Sequence, residues 1–419
     1  MTAVHAVSPN LALDEAVSRR HAAGQPLIHL GFGESRLPLP GFLAERLLAG
    51  ARRTAYGPVA GAEDSRSAAA GYFTRRGLLT EAEQIVLAPG SKPLLLALMA
   101  AIDGAVVLPQ PCWVTYAPQA RLFGRPVLEV PIPAGCGGVP DPDLLPGALR
   151  AFRAAGGRPR MLLLTLPDNP TGTHAPPEVV RRLCEIAEAE DLLIVSDEIY
   201  RDILHDPADP FASPAEFAPD RTVVTSGLSK SLALGGWRIG FARFPATAAG
   251  RALRSTVLGL ASEIWSTLAG PMQEVACLAL AEPPEVTAHL RASTRLHGAV
   301  ADAVHRIVTQ AGAVCRPPTG GFYVYPDFEP VRDVLAAKGV TGSASLQDHL
   351  IDRLGVAVLG GEHLGDDPGA LRFRAATSML YGADDAERWA ALRSPSPLTL
   401  PHIRETLAAL DAAFTGLTS

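Results

Sequence analysis

The feature that most limits the possible folds is a series of short apolar runs, each followed at once by a polar turn. Residues 161–166 and 192–195 are two such runs, and residues 178–190 between them repeat apolar positions at helical spacing. The runs lack the polar alternation of a half-exposed strand, so both faces of the sheet must be covered. The pattern predicts an α/β fold in which a mostly parallel, doubly wound sheet is flanked by helices.

The chain is long for a single hydrophobic core. At 419 residues it is expected to form two domains, or one large domain with a smaller satellite. The character of the sequence changes after Glu282-Pro283-Pro284, where a long helical pattern begins. We therefore place the second domain after residue 284.

Charge and cysteine content exclude several classes of function. The net charge is −6 and the arginines are scattered, so nucleic acid is not an expected partner. The sequence has neither a signal-peptide pattern nor a run of ~18 apolar residues that could span a membrane, which predicts a cytoplasmic protein. The five cysteines are odd in number and lack ligand spacing, so we predict neither a disulfide nor a metal site.

Polar motifs follow the predicted strands at the points where the strands end. In an open parallel sheet this edge is where ligands bind. We therefore expect one crevice to bring together Asn169, Asp197, Tyr200, Lys230 and the turn at Gly90.

Lysine is rare in this chain, with three lysines against 34 arginines. Arginine cannot form a Schiff base, so a lysine retained in such a composition is a strong functional candidate. Lys230 lies eight residues before Arg238 on a glycine-hinged loop, whereas Lys338 resembles a cation at a helix end. An amine near a guanidinium suits a cofactor that has both a carbonyl and a phosphate, which is pyridoxal phosphate.

Three further motifs each have a functional and a structural interpretation. The turn Gly90-Ser91-Lys92 comes before an apolar helix and could cradle a phosphate, although Lys92 could also be a solvated cation. Trp113 could stack on a planar ring or pack in the core. Arg372 and Arg374 lie two apart on a predicted strand and so share a face, where they suit a carboxylate or remain solvated.

Taken together, these motifs resemble those of the class I/II aminotransferases among the fold-type I pyridoxal-phosphate enzymes, in the same order and over nearly the whole chain. The resemblance rests on Gly33-Glu34, Tyr56 with Pro58 and Gly61, Gly90-Ser91-Lys92, Trp113, Asn169-Pro170-Thr171-Gly172, Asp197-Glu198-Ile199-Tyr200, Ser229-Lys230, Gly236-Trp237-Arg238-Ile239-Gly240 and Arg372. It implies an N-terminal arm and part of a small domain at 1–35, a large cofactor domain at 36–284 and a small C-terminal domain at 285–419. The small α/β domain is thus expected to contain both chain ends.

The resemblance also implies roles for the catalytic residues. Lys230 would hold the cofactor as a Schiff base and move the Cα proton. Asp197 would pair with the ring nitrogen, and Asn169 and Tyr200 would hydrogen-bond the phenolic oxygen.

Cofactor-binding roles follow from the same resemblance. Arg238, the amides of Ser91 and Lys92, and the hydroxyl of Ser229 would bind the phosphate, while Trp113 would stack on the ring. One departure from the family pattern is Gly227 in place of a frequent serine, which leaves Ser226 or Ser229 to supply the hydroxyl. The other is Asp168 where asparagine is frequent.

Substrate and subunit contacts complete the expected site. Arg372 would bind the substrate α-carboxylate together with the amide of Gly33, and Arg374 is the alternative because it shares the face. Tyr56 would reach the cofactor phosphate of a neighbouring subunit, which predicts a homodimer with shared active sites.

The expected reaction is transfer of the amino group of an L-amino acid to a 2-oxo acid. The alternative on the same scaffold is a lyase, a cyclase or an enzyme of β- or γ-replacement. A ligand-sensing module is disfavoured because Lys230 is intact. Residues 262–265 contain no arginine that could bind a second carboxylate, which favours neutral, aromatic or basic substrates.

Overall fold

The computed structural model describes residues 8–25 and 27–419. The β-strands, in chain order, are β1 (Ile28–His29), β2 (Ile85–Ala88), β3 (Ala105–Gln110), β4 (Val127–Pro131), β5 (Pro159–Thr165), β6 (Leu193–Asp197), β7 (Thr222–Gly227), β8 (Gly240–Arg243), β9 (Tyr323–Val324), β10 (Val356–Ala357), β11 (Leu359–Gly360) and β12 (Phe373–Ala376). The α-helices are α1 (Pro9–Ala22), α2 (Gly41–Gly50), α3 (Glu63–Arg75), α4 (Ser91–Ala101), α5 (Tyr116–Leu122), α6 (Leu145–Ala154), α7 (Pro177–Ala189), α8 (Pro214–Phe217), α9 (Leu228–Ser231), α10 (Ala248–Ile264), α11 (Gly270–Ala281), α12 (Pro284–Gln310), α13 (Arg332–Ala337), α14 (Ser343–Leu354), α15 (Asp385–Arg393) and α16 (Pro401–Thr418).

A seven-stranded sheet forms the centre of the fold, with strand order β2-β8-β7-β6-β5-β3-β4. Strands β3 to β7 pair in parallel with one another, while β8 is antiparallel to both of its neighbours, β7 and β2. Since β8 alone is reversed, its first residue lies at the edge where the other strands end. The register confirms this, because Gly240 at the start of β8 pairs with Gly227 at the end of β7 and with Ala88 at the end of β2.

The apolar strands are covered on both faces, as the sequence predicts. Along β5, Met161 and Leu163 pack into one hydrophobic cluster, whereas Leu162 and Leu164 pack into another. All four side chains are buried. Successive side chains of a strand point to opposite faces, so each face has its own layer of helices. The predicted α/β class with a doubly wound sheet is confirmed.

Two small sheets lie outside the central one. The parallel pair β1-β10 joins the N-terminal segment to the C-terminal part of the chain, and β11-β12-β9 is antiparallel. A segment near residue 28 is thus joined to the C-terminal part of the chain, while the division into domains stays a prediction. The strands of these two small sheets are two to four residues long. Helix α12 begins at Pro284, next to the predicted boundary, and the boundaries at 35 and 284 stay predictions.

None of the helices in residues 8–25 and 27–419 is long and apolar enough to cross a membrane. All five cysteines are present as free thiols, with Cys112, Cys136 and Cys184 buried. Burial raises the pKa of the Cys136 thiol to about 11.

Candidate active site

A cavity of about 490 Å³ opens at the edge where the parallel strands end. Ten of the twelve predicted site residues line it, and the two that do not are Tyr56 and Arg372. The ten are Gly33, Ser91, Lys92, Trp113, Asn169, Asp197, Tyr200, Ser229, Lys230 and Arg238. The convergence follows from the topology, because each motif comes directly after a strand end or, for Arg238, just before the start of the reversed β8.

Lys230 lies on the single-turn helix α9, which begins where β7 ends. Its Nζ donates a hydrogen bond to the carbonyl oxygen of Gly33. Burial lowers the pKa of this amine to about 8, and the positive charges of Arg374 and Arg238 act in the same direction, against the carboxylate of Glu34. The neutral, nucleophilic form of this amine is therefore more accessible near neutral pH than that of an ordinary lysine.

Asp197 is the last residue of β6 and is buried. The hydroxyl of Tyr116 donates to its Oδ2 over 2.9 Å, and the hydroxyl of Thr225 donates to its Oδ1 over 3.3 Å. Burial raises the pKa of the carboxyl to about 6, although these two hydrogen bonds favour the charged form. Hydroxyls alone do not neutralise a buried carboxylate, so the site suits a ligand that brings a positive charge.

The turn before α4 forms a cationic cradle. Gly90 has φ +94°, and a Cβ there would overlap the guanidinium of Arg238, so the arginine lies directly on the turn. The Nη1 of Arg238 donates to the carbonyl oxygen of Gly235 over 2.9 Å. The Nζ of Lys92 is 5.2 Å from the ring centroid of Trp113. Burial lowers the pKa of Lys92, with Arg238 contributing, so the pair would gain from an anion at this helix N-terminus.

Ser229 and Ser226 are now distinguished as partners for such an anion. Ser229 lines the cavity. Ser226 is buried, and its hydroxyl donates to the carbonyl oxygen of Glu198 over 3.3 Å. Of the two serines that the sequence left open, only Ser229 is placed to contact a ligand.

The prediction that Arg372 binds a carboxylate in the cavity is wrong in its position. Arg372 precedes β12, and its Nε donates to Asp327 over 2.8 Å while its Nη1 donates to Asp366 over 3.2 Å. These two carboxylates balance the positive charge of the guanidinium and raise its pKa. Arg372 does not line the cavity. Arg374, the alternative named from the sequence, lines the cavity instead.

Arg374 is completely buried and is surrounded by neutral acceptors. Its Nη1 donates to Oδ1 of Asn169 over 3.1 Å, and its Nη2 donates to Oδ1 of Asn10 over 2.9 Å and to the carbonyl oxygen of Gly31 over 2.8 Å. Within the described residues its Nε has no hydrogen-bond partner. A buried guanidinium with a free donor and no carboxylate partner is suited to bind an anionic ligand.

Asp168, the departure noted in the sequence, has a structural role. It is fully buried, and its Oδ2 accepts hydrogen bonds from the amide of Thr171 over 3.1 Å and from the hydroxyl of Thr171 over 2.7 Å. Burial raises the pKa of this carboxyl to about 7. The side chain thereby holds the turn that carries the neighbouring Asn169.

Several cavity residues were not anticipated from the sequence. Tyr116 and Thr165 support Asp197, Asn10 binds Arg374, and Tyr323 places its hydroxyl 2.7 Å from that of Tyr200. Their partners lie far away along the chain, so no local pattern identifies them.

Tyr56 lies outside the cavity and is 90% exposed.

Comparisons with known proteins agree with this geometry. The family Aminotransferase class I and II matches residues 26–379. The aspartate/prephenate aminotransferase of Thermus thermophilus is 32% identical over 341 residues, covering 78% of this chain and 84% of that protein. The aspartate/prephenate aminotransferase of Cereibacter sphaeroides is 30% identical over 374 residues, covering 86% and 90%.

Solved structures share the fold. The aspartate aminotransferase from Thermus thermophilus with maleate superposes with a TM-score of 0.81 at 24% identity, over 99% of this chain and all of that chain. The aromatic aminotransferase from Pyrococcus horikoshii superposes with a TM-score of 0.76 at 22% identity, over 96% and 99%. The family match over most of the chain, together with the lysine-centred cavity, shows that this protein belongs to the class I and II aminotransferases and is an enzyme of amino-group transfer.

Proposed function

We propose that the cavity binds pyridoxal 5′-phosphate and that the enzyme moves the amino group of an L-amino acid to a 2-oxo acid through a Schiff base on Lys230. The observation that carries the proposal is that three groups open into one cavity: the Lys230 amine, the buried Asp197 carboxylate and the cationic turn at Ser91. When bound, this cofactor supplies an aldehyde that forms the Schiff base and a protonated ring that accepts electrons. The three groups fit its aldehyde, its ring nitrogen and its phosphate.

The residues around the ring have separate tasks. Asp197 is held by hydrogen bonds from Tyr116 and Thr225, which are uncharged. A protonated ring nitrogen would give the Asp197 carboxylate a positive partner, so Asp197 favours the protonated form of the ring. The Oδ1 of Asn169 accepts from Arg374, so its Nδ2 is free to donate towards the phenolic oxygen of the ring. Tyr200 donates to the same oxygen, and Trp113 contacts the ring face.

The cationic cradle at the turn before α4 would bind the phosphate. Arg238 and the amides of Ser91 and Lys92 donate to phosphate oxygens, with the Ser229 hydroxyl as a further donor. Lys230 then carries the proton that leaves the substrate Cα, which its lowered pKa allows. Arg374, in place of Arg372, binds the substrate α-carboxylate, and Gly33 lies beside it.

The reaction we propose is transamination. The alternative of elimination, replacement or cyclisation is not favoured, since the relatives of this chain are named as aminotransferases. Those names put aspartate and prephenate into the first panel of substrates. The absence of arginine from residues 262–265 adds neutral, aromatic and basic amino acids to the panel.

The decisive test is a half-reaction. The purified enzyme, loaded with the cofactor, is mixed with one amino acid at a time and no oxo acid, and its visible spectrum is recorded. We expect a reactive amino acid to convert the band of the lysine-bound cofactor into that of its amine form, with one equivalent of oxo acid released. Release of ammonia while the original band persists would contradict transamination.

We also propose a homodimer in which Tyr56 completes the site of the partner. Tyr56 is 90% exposed and does not line the cavity of its own chain, so its side chain is available to contact a second subunit. Residues 262–265 lie at the end of α10, where Ile264 is also exposed. A cytoplasmic location stays a prediction.

Mixing two inactive or weakened variants tests the shared site. Tyr56→Ala is expected to weaken activity about tenfold by removing one phosphate donor, while Lys230→Ala is inactive. After co-refolding, random pairing makes half of the dimers hybrid, with one complete site each, so activity should recover to about one quarter of wild type. Activity equal to the mean of the two parents would place Tyr56 in the site of its own subunit.

A further inference from the structure

Tyr323 is a buried cavity residue to which neither the sequence nor the proposed reaction assigns a role. Its hydroxyl lies 2.7 Å from the hydroxyl of Tyr200, and both side chains are buried. A Cβ at Gly33 would overlap the same hydroxyl, so Tyr323 fits directly against the residue whose carbonyl accepts from Lys230. The Tyr323 hydroxyl therefore sits between two predicted site residues.

The direction of the hydrogen bond between the two tyrosines follows from their donor count. A phenol has one proton to donate. If Tyr200 donates to the phenolic oxygen of the cofactor, as proposed above, the shared hydrogen bond must be donated by Tyr323. Burial raises the pKa of both phenols, so both keep their protons at neutral pH.

We propose that Tyr323 is a positioning residue of the reaction, which orients the Tyr200 hydroxyl and strengthens its donation to the cofactor. A hydroxyl that accepts a hydrogen bond becomes a better donor through mutual polarisation. The inference rests on the proposed function, since it needs the cofactor oxygen as the acceptor of Tyr200.

Tyr323 also links this hydroxyl pair to the substrate side of the cavity. The guanidinium carbon of Arg374 is 5.0 Å from the centroid of the Tyr323 ring, a cation–π distance. Strand β9 begins at Tyr323 and pairs with β12, with Tyr323 opposite Ala376. The ring of Tyr323 thus contacts Arg374, the proposed carboxylate-binding residue. The hydroxyl of Tyr323 contacts Tyr200, the proposed donor to the phenolic oxygen of the cofactor.

The test separates the hydroxyl from the ring. In Tyr323→Phe the ring remains over Arg374, so the KM for the amino acid should stay within about twofold. The loss of one hydrogen bond should lower kcat about fivefold. The midpoint of the pH titration of the bound cofactor's visible absorbance should rise by about half a unit to one unit, because a less stabilised phenolic oxygen holds the neighbouring proton more tightly.

Tyr325 provides a matched control on the same segment. Its hydroxyl donates to Asp366 over 2.7 Å and does not line the cavity. Tyr325→Phe also removes a buried, hydrogen-bonded hydroxyl and should lower the melting temperature while leaving the titration midpoint unchanged. A shift of the same size in Tyr325→Phe would assign the effect to stability and overturn the proposal.

A double-mutant cycle tests whether Tyr323 acts through Tyr200. Tyr200→Phe should itself raise the midpoint, and adding Tyr323→Phe should then change it no further. An additive shift in the double variant, or an unchanged midpoint in Tyr323→Phe with cofactor bound, would overturn the proposal. If the wild-type enzyme bound no cofactor at Lys230, the proposed function itself would fail, and this inference with it.

Discussion

Replacing Lys230 with alanine is expected to reduce amino-group transfer by about 10⁴-fold or more, because the variant has neither the amine that forms the Schiff base nor the group that moves the Cα proton. The amine lies in the cavity beside Gly33, and burial lowers its pKa to about 8. Arginine cannot form an imine, so Lys230→Arg should lose as much activity as Lys230→Ala while keeping the positive charge. Steady-state rates and the visible spectrum of each variant measure the effect.

The two other lysines make the experiment specific. Lys338 donates to the carbonyl oxygens of Gly416 and Leu417 over 3.0 Å and does not line the cavity, so Lys338→Ala should retain full activity. Reduction of the loaded enzyme with borohydride should fix the cofactor to the peptide that contains residue 230. A label on the peptide with Lys92, which also lines the cavity, would transfer the role of the imine lysine to that residue.

The central sheet was predictable because its strands carry their own signal. In residues 161–166 the apolar side chains occupy both faces of the strand, and Leu162 and Leu163 pack into different clusters on opposite faces. The short strands β1, β9 and β10 have two residues each, which is too short for the sequence to define their bounds or their partners. Strand β1 pairs with β10 through residues near positions 28 and 356, which lie more than 300 positions apart, whereas β9 pairs with β12.

The candidate site was predictable where a strand end fixed the position of a side chain. Asp197 and Lys230 follow this rule. Asp197 is the last residue of β6, and Lys230 lies on the helical turn that follows β7. The support of these residues was not predictable, because Tyr116 reaches Asp197 from 81 positions away and Tyr323 reaches Tyr200 from 123 positions away. The sequence alone therefore predicted candidate residues at strand ends and missed the side chains that hydrogen-bond to them.

The choice between Arg372 and Arg374 depended on their surroundings. Residues two apart on a strand share a face, so periodicity alone did not distinguish which of the two arginines binds the substrate. The structure separates them by their partners, since Asp327 and Asp366 pair with Arg372 whereas the partners of Arg374 are neutral oxygens. A pattern that records only the arginine positions does not contain this information.

Arg374→Lys is expected to lower kcat/KM for the amino acid by about 10²- to 10³-fold, mainly through a higher KM. The guanidinium holds Asn169, Asn10 and Gly31 with two nitrogens, and within residues 8–25 and 27–419 its Nε has no hydrogen-bond partner. A lysine ammonium cannot make this planar set of contacts, and a buried carboxylate that loses its charged partner costs several kcal/mol. Saturation kinetics with the amino acid, at constant oxo acid, measure the change.

Arg372→Lys is the matched comparison, since it makes the same substitution two residues away. It should change kcat/KM by less than about threefold, because the half-exposed pair with Asp327 and Asp366 contributes to stability and does not line the cavity. Its effect should appear instead as a lower melting temperature. If Arg372→Lys raised the KM and Arg374→Lys did not, the carboxylate site would belong to Arg372.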